Sequence, residues 1–292
     1  MAASSTRIFA ILARGGSEAV IFRRGPSKQV LLIKWRLGSD KLEYGQWFKG
    51  RIYDRRCDLS PSGELLIYFA AKYKQPLASW TAISKPPYLT ALALWPKGDG
   101  WGGGGAFDSE LAIQLNHRPG EDALAKEFKL KKNMRVSLYG SRPGWGEDFP
   151  IYHSLLLKNG WNLLDEGECG KPDWNAKVVW EYTKPIVYEK SSKDRKLQMQ
   201  IKGMSQKNDS WYWIDYTVLN AAGELLFQLP KTDWADWDGG DLVFAKNGKL
   251  FRLGQKNFTK YINSGEEALK LIADLNELKF EEKKAPHKAT VW

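Results

Sequence analysis

The stretch most suggestive of chemistry is Trp101-Gly102-Gly103-Gly104-Gly105-Ala106-Phe107, since a glycine run lets backbone amides approach a phosphate. A phosphate-binding loop also needs Lys and Ser or Thr directly after its final glycine, and a helix beyond. Here Ala106-Phe107-Asp108-Ser109 follow, so the run predicts a strand or wide loop in a place too crowded for side chains. A second candidate is Asp233-Trp234-Ala235-Asp236-Trp237-Asp238-Gly239-Gly240-Asp241, with carboxylates at spacing reminiscent of a calcium loop. Calcium takes about six to eight oxygens, and no bidentate Glu closes this stretch. The aspartates are read as caps of turn amides and the tryptophans as packing between sheets. His117, His153 and His287 are far apart and unpaired with Cys, so no metal site is expected. Ser60 and Ser62 flank Pro61 within a turn, where hydroxyls bond local backbone. No catalytic residue and no cofactor are assigned.

The elements that must position these groups read as strands. Arg7 to Ala13, Ala19 to Arg23 and Gln29 to Trp35 are separated by Gly15-Gly16 and Gly25-Pro26-Ser27, the punctuation of hairpins. Leu197 to Lys202 alternates apolar with polar, which buries one face of a strand. Leu89 to Trp95 is apolar on both faces, as for a strand sandwiched inside a larger body, and Pro96 stops it. Fourteen Trp, twelve Tyr and twelve Phe make 13% of the chain, an enrichment that favours pleated, half-buried surfaces. Two segments invite helices. One lies between Pro119 and Lys132; the other runs from about Gly265 to Leu278, where Ala268, Leu271, Ile272, Leu275 and Leu278 recur at helical spacing after Ser264. That second helix either packs on the β body or docks into a partner's groove. A flexible basic tail, Lys283 onward, is expected beyond it.

A weak repeat supplies the organisation. Leu59-Ser-Pro-Ser-Gly63-Glu-Leu65-Leu66-Ile67 matches Leu219-Asn-Ala-Ala-Gly223-Glu-Leu225-Leu226-Phe227, and two shorter echoes carry Asn159-Gly160 and Asn247-Gly248. Each reads as a hairpin whose glycine supplies positive φ. Their separations suit blades of about 40 to 50 residues. The first strand is expected to pair with the last blade and close the ring. Leu59 to Tyr68 resembles the strand-turn-strand element of WD-repeat and TolB-like propellers, although the regular Gly-His and Trp-Asp pairs of a true WD repeat are missing. The resemblance implies a divergent β-propeller, all-β, of five or six blades over residues 1–262, with a C-terminal helix and basic tail over 263–292. It also implies a scaffold for protein contacts and no catalytic residues.

The net charge is +10, which strengthens attraction for nucleic acid, anionic lipid or an acidic protein surface. The groups Arg23-Arg24, Arg55-Arg56, Lys129 with Lys131 and Lys132, and Lys190 to Lys196 are read as solvated loops. Cys57 and Cys169 are too few for a disulfide framework and predict two buried thiols in a reducing, cytoplasmic setting. No apolar run approaches the roughly 20 residues that cross a bilayer, so a soluble protein without membrane contact is expected. The leading functional reading is a protein-binding scaffold with Arg51, Tyr53, Arg55, Trp145, Trp161 and Trp174 as anchors. The second is nucleic-acid binding through Lys190, Lys193, Arg195 and Lys196, and the third an enzyme acting at a central channel.

Overall fold

The computed structural model describes residues 6–25, 28–207 and 210–292. Strand accounts for 47% of the described residues and helix for 10%, so the protein is predominantly β. Among the described residues, no helix is long and apolar enough to cross a membrane. The described residues form two compact units, 6–8 with Leu156–Leu278, and Phe9–Leu155 with Lys279–Trp292.

In the second of these, three sheets follow one another along the chain. The first is β1 (Arg7–Leu12), β2 (Glu18–Arg24), β3 (Gln29–Arg36) and β4 (Lys41–Lys49), paired in that order. The next contains β5 (Arg51–Ile52), β6 (Asp58–Leu59), β7 (Leu66–Ala71), β8 (Ser79–Ser84) and β9 (Ala93–Pro96). The last is β10 (Gly105–Ser109), β11 (Ala112–Leu115) and β12 (Arg135–Leu138), with β11 and β12 parallel. The middle sheet is covered on both faces. Leu66, Tyr68, Ala82 and Leu94 join a core with Phe22 and Leu32 of the first sheet. Their sequence neighbours Ile67, Ile83, Ala93 and Trp95 point the other way, against Phe107, Ile113 and Leu115 of the third. Period-two side chains on a strand with two dry faces are mostly apolar, and the buried polar residues of β8 such as Ser79 and Thr81 are hydrogen-bonded internally. The two-sided apolar strand expected before Pro96 is therefore present, as the shorter β9. An ion pair between the half-buried Arg14 and the fully buried Asp58 ties the layers together at 2.9 Å, while Asp58 also accepts from the Phe107 amide at 2.8 Å.

The other unit holds a sheet of β13 (Asn162–Asp165), β14 (Glu168–Cys169), β15 (Val178–Ser192), β16 (Arg195–Gln206), β17 (Tyr212–Asn220) and β18 (Leu225–Leu229). It also holds a four-stranded sheet, β19 (Thr232–Asp238), β20 (Asp241–Lys246), β21 (Lys249–Leu253) and β22 (Lys270–Asp274). The alternation over Leu197 to Lys202 falls within β16, with Leu197, Met199 and Ile201 buried. Phe258 opens α2 (Phe258–Ser264) and packs on Phe227 and Trp237.

Several expectations need correction. Gly63, Gly223 and Gly248 do turn hairpins, β6 to β7, β17 to β18 and β20 to β21. Asn159-Gly160 instead ends a helix, α1 (Ile151–Lys158), with Gly160 donating to the Leu157 carbonyl. The long helix expected over Gly265–Leu278 does not form; a single 3-10 turn, Gly265–Ala268, follows α2. Gly265, at φ +64, terminates α2, and the following chain becomes β22, because the open edge of β21 offers backbone partners that outweigh helical periodicity. The stretch 119–132 is irregular, because its apolar residues serve two cores: Leu124 and Leu130 enter one, Ala125 and Phe128 the other. A single helical stripe faces only one way. The basic tail is a bound strap. Phe280 packs on Trp47, Gln46 donates to the Lys283 carbonyl at 2.9 Å, and the Trp292 indole donates to the Lys129 carbonyl at 2.7 Å. The N-terminal strand pairs with β2, its own sheet neighbour.

A candidate binding surface around the glycine loop

The glycine run expected to lie in a crowded place does so. Gly102, Gly103 and Gly104 are buried with φ of +64, +82 and +78. A Cβ at Gly103 would collide with the Phe69 ring, and one at Gly104 with the Arg56 backbone carbonyl. Every amide in this turn has an acceptor inside the protein. Gly102 donates to Gly146 O at 2.9 Å, Gly103 to Asn116 O at 2.6 Å, and Gly104 to the Thr81 hydroxyl at 2.8 Å. Amides so committed are not available to cradle a phosphate.

Arg56 is what the loop wraps. Its side chain is 1% exposed and reaches Asp148 at 2.6 Å, the Gly100 carbonyl at 2.7 Å and the Gly102 carbonyl. Its guanidinium also lies over the Tyr53 ring, 4.5 Å from the centroid. A buried guanidinium needs this saturation of acceptors to offset its lost hydration. The buried Asn116 joins a second loop, accepting from Gly144 at 2.9 Å while its amide donates to Gly103 O at 3.1 Å. His117 follows. Its Nδ1 faces the Glu121 carbonyl at 2.8 Å and must carry the proton, so Nε2 accepts from the Thr81 hydroxyl at 2.7 Å. Burial holds its pKa below the ordinary imidazole value, and this neutral form is the one the bonds require.

The outcome is a rigid platform whose backbone is occupied and whose large side chains face outward. Trp101 is 52% and Trp145 60% exposed, each beside one of the two interlocked glycine loops. Asp99 caps the Trp101 amide at 3.0 Å and is itself held by Lys97 at 2.8 Å. Arg118 lies 5.4 Å from the centroid of Trp145. Tyr53 and Tyr73 share a hydrogen bond between their hydroxyls, and Arg51 stands over the Tyr53 ring. Partial burial of the Tyr73 hydroxyl, together with that bond, pushes its pKa up to about 12, so the Tyr73 phenol stays neutral at physiological pH. Neutral aromatic faces with flanking cations can grip a partner through stacking, cation–π contacts and hydrogen bonds.

Of the residues expected as anchors, Arg51, Tyr53 and Trp145 belong to this platform. Arg55 does not: it is buried, packed between the rings of Phe9 and Tyr152. Trp161 is likewise buried, in the other unit, while Trp174 there is 67% exposed and packs edge-on against Trp180. Of the arginine pairs read as solvated loops, Arg23, Arg55 and Arg56 are buried and Arg24 is half-buried. The group proposed for nucleic acid is mostly neutralised. Lys190 contacts Asp236 at 2.7 Å, Arg195 contacts Asp194 at 2.8 Å, Lys196 reaches Glu189 at 3.6 Å, and Lys193 donates to Gln255. The aspartates of 233–241 are involved too, Asp238 and Asp241 sharing Arg252. Cys57 is buried but Cys169 is exposed. Among the described residues, no three His, Cys, Asp or Glu side chains gather as metal ligands. Sequence reasoning missed Tyr73 and Arg118, whose roles depend on loops that meet only in three dimensions.

The chain matches no protein-family model and no curated protein sequence. Among solved structures it is similar to an uncharacterized protein from Listeria monocytogenes EGD-e, at 10% identity and a TM-score of 0.30, covering 97% of this chain and 87% of that one. It is also similar to prolyl oligopeptidase B from Galerina marginata, at 8% identity and a TM-score of 0.24, covering 92% of this chain and 34% of the peptidase.

Proposed function

We propose that this protein is a non-catalytic, protein-binding scaffold on a divergent β-propeller-like body, and that it engages its partner through the platform around Trp101 and Trp145. The carrying observation is that two half-exposed tryptophans, Trp101 and Trp145, the latter with Arg118 against its ring, stand on loops locked by Asn116 and Arg56. Trp, Tyr and Arg are the side chains that dominate protein interfaces, and a pre-ordered platform loses little entropy on binding. Support for the propeller-like body comes from the local strand order of five consecutive sheets, three of them stacked face to face in chain order. The parallel β11–β12 pair departs from a simple blade. Co-purification from native lysate, with nuclease present, tests the function. The wild-type chain should retain a specific protein that the double variant Trp101→Ala/Trp145→Ala loses while keeping its thermal stability. Equal retention by both, or loss on nuclease treatment, would refute it.

A further inference from the structure

We infer that the free edge of β12 is a second recognition surface, which takes an acidic, extended peptide segment as an added strand. In a parallel ladder a residue directs both its N–H and its C=O to the same neighbour, and successive residues alternate sides. Arg135 and Tyr139 donate to Leu111 O at 2.8 Å and Leu115 O at 2.9 Å. The backbone groups of Val136 and Leu138 therefore face away from β11. No strand among the described residues pairs with that edge, and this sheet has only three strands where the others have four or more. Unsatisfied edge groups of this kind are templates for another strand.

Charge selects the partner. Between Lys126 and Arg135 stand Lys126, Lys129, Lys131, Lys132 and Arg135 against Glu127 alone, all exposed. Among the described residues, none of these five cations has a carboxylate within ion-pair distance, unlike the group around Lys190. The local packing explains their exposure. Leu130 and Met134 are drawn into the core and Asn133 turns the chain at φ +65, which leaves Lys131 and Lys132 projecting immediately before the edge. Such a row of cations repels a second copy of the same edge and favours a strand rich in Asp or Glu. The side chains of Val136 and Leu138 pack inward, so recognition rests on main-chain pairing plus flanking cations.

The test is fluorescence anisotropy of the full-length chain with a labelled peptide of about ten residues alternating Glu and Val, a length matched to a strand. Binding should weaken about tenfold or more when alternate peptide amides are N-methylated, and by a similar factor in Lys131→Glu/Lys132→Glu/Arg135→Glu. Amide exchange at Val136 and Leu138 should slow in the complex. Trp101→Ala/Trp145→Ala should bind this peptide normally, which separates the surface from the aromatic platform. Absence of binding, equal affinity for the N-methylated peptide, or displacement by a thymidine oligonucleotide at equal affinity would overturn strand addition.

Discussion

At the residue scale the account rests on groups that have one acceptable state. Gly104 cannot accept a side chain, because its φ is left-handed and a Cβ would meet the Arg56 carbonyl. Gly104→Ala should cost about 2 kcal/mol or more, whereas Gly98→Ala, equally left-handed but with open space, should cost only the backbone component of about 1 kcal/mol. Urea midpoints of the two variants check the difference. His117 gives a pH dependence. Its folded pKa lies below the ordinary value, so on acidification the unfolded chain takes up the proton first. Stability contributed by the neutral ring is present above about pH 6.5 and declines as the pH falls from there towards the lowered value. His117→Gln should be less stable at neutral pH yet lose less between pH 7.5 and 5.5; an identical decline in both proteins would contradict the assignment. The two thiols should separate as well. Burial raises the Cys57 pKa well above normal, so a maleimide should label only Cys169 in the native protein and both residues after denaturation, as intact mass would show.

At the element scale, single strands and turns were legible in the sequence wherever one physical demand acted alone. The alternation in β16 and the Asn247-Gly248 turn are set by local backbone and one buried face. The errors arose where demands competed. Leu124 to Leu130 carries helical spacing, yet two cores pull on it from different sides. Leu269 to Leu275 has helical spacing too, yet the edge of β21 takes it as a strand. No pattern in the sequence reveals a sheet edge awaiting its partner. Elements are joined by Asp58, which is wholly buried and bonded to Arg14, Leu59 and Phe107. Removing one member of such a pair strands the other charge, so Asp58→Ala should cost about 3 to 5 kcal/mol in denaturant unfolding. A change below 1 kcal/mol would mean that the pair does not hold β6 to β10.

At the scale of the whole molecule, the predominantly β body could be read from aromatic enrichment, turn residues and strand periodicity, although the two expected helices do not form. The arrangement of its functional groups could not. Charge groups that look alike in sequence differ in the structure: Arg55-Arg56 is internal, Lys190 to Lys196 is mostly neutralised, and Lys126 to Arg135 is free. Aromatic residues divide the same way, with Trp161 buried and Trp101 outside. These distinctions depend on which loops meet, a property of the folded chain as a whole. The central claim, that the platform around the glycine loop is where a protein partner sits, is tested most directly by oxidative footprinting of the complex isolated from lysate. Trp101 and Trp145 should become protected while Trp174 and Trp211, both exposed, are still modified; protection of Trp174 and Trp211, with Trp101 and Trp145 unchanged, would contradict it.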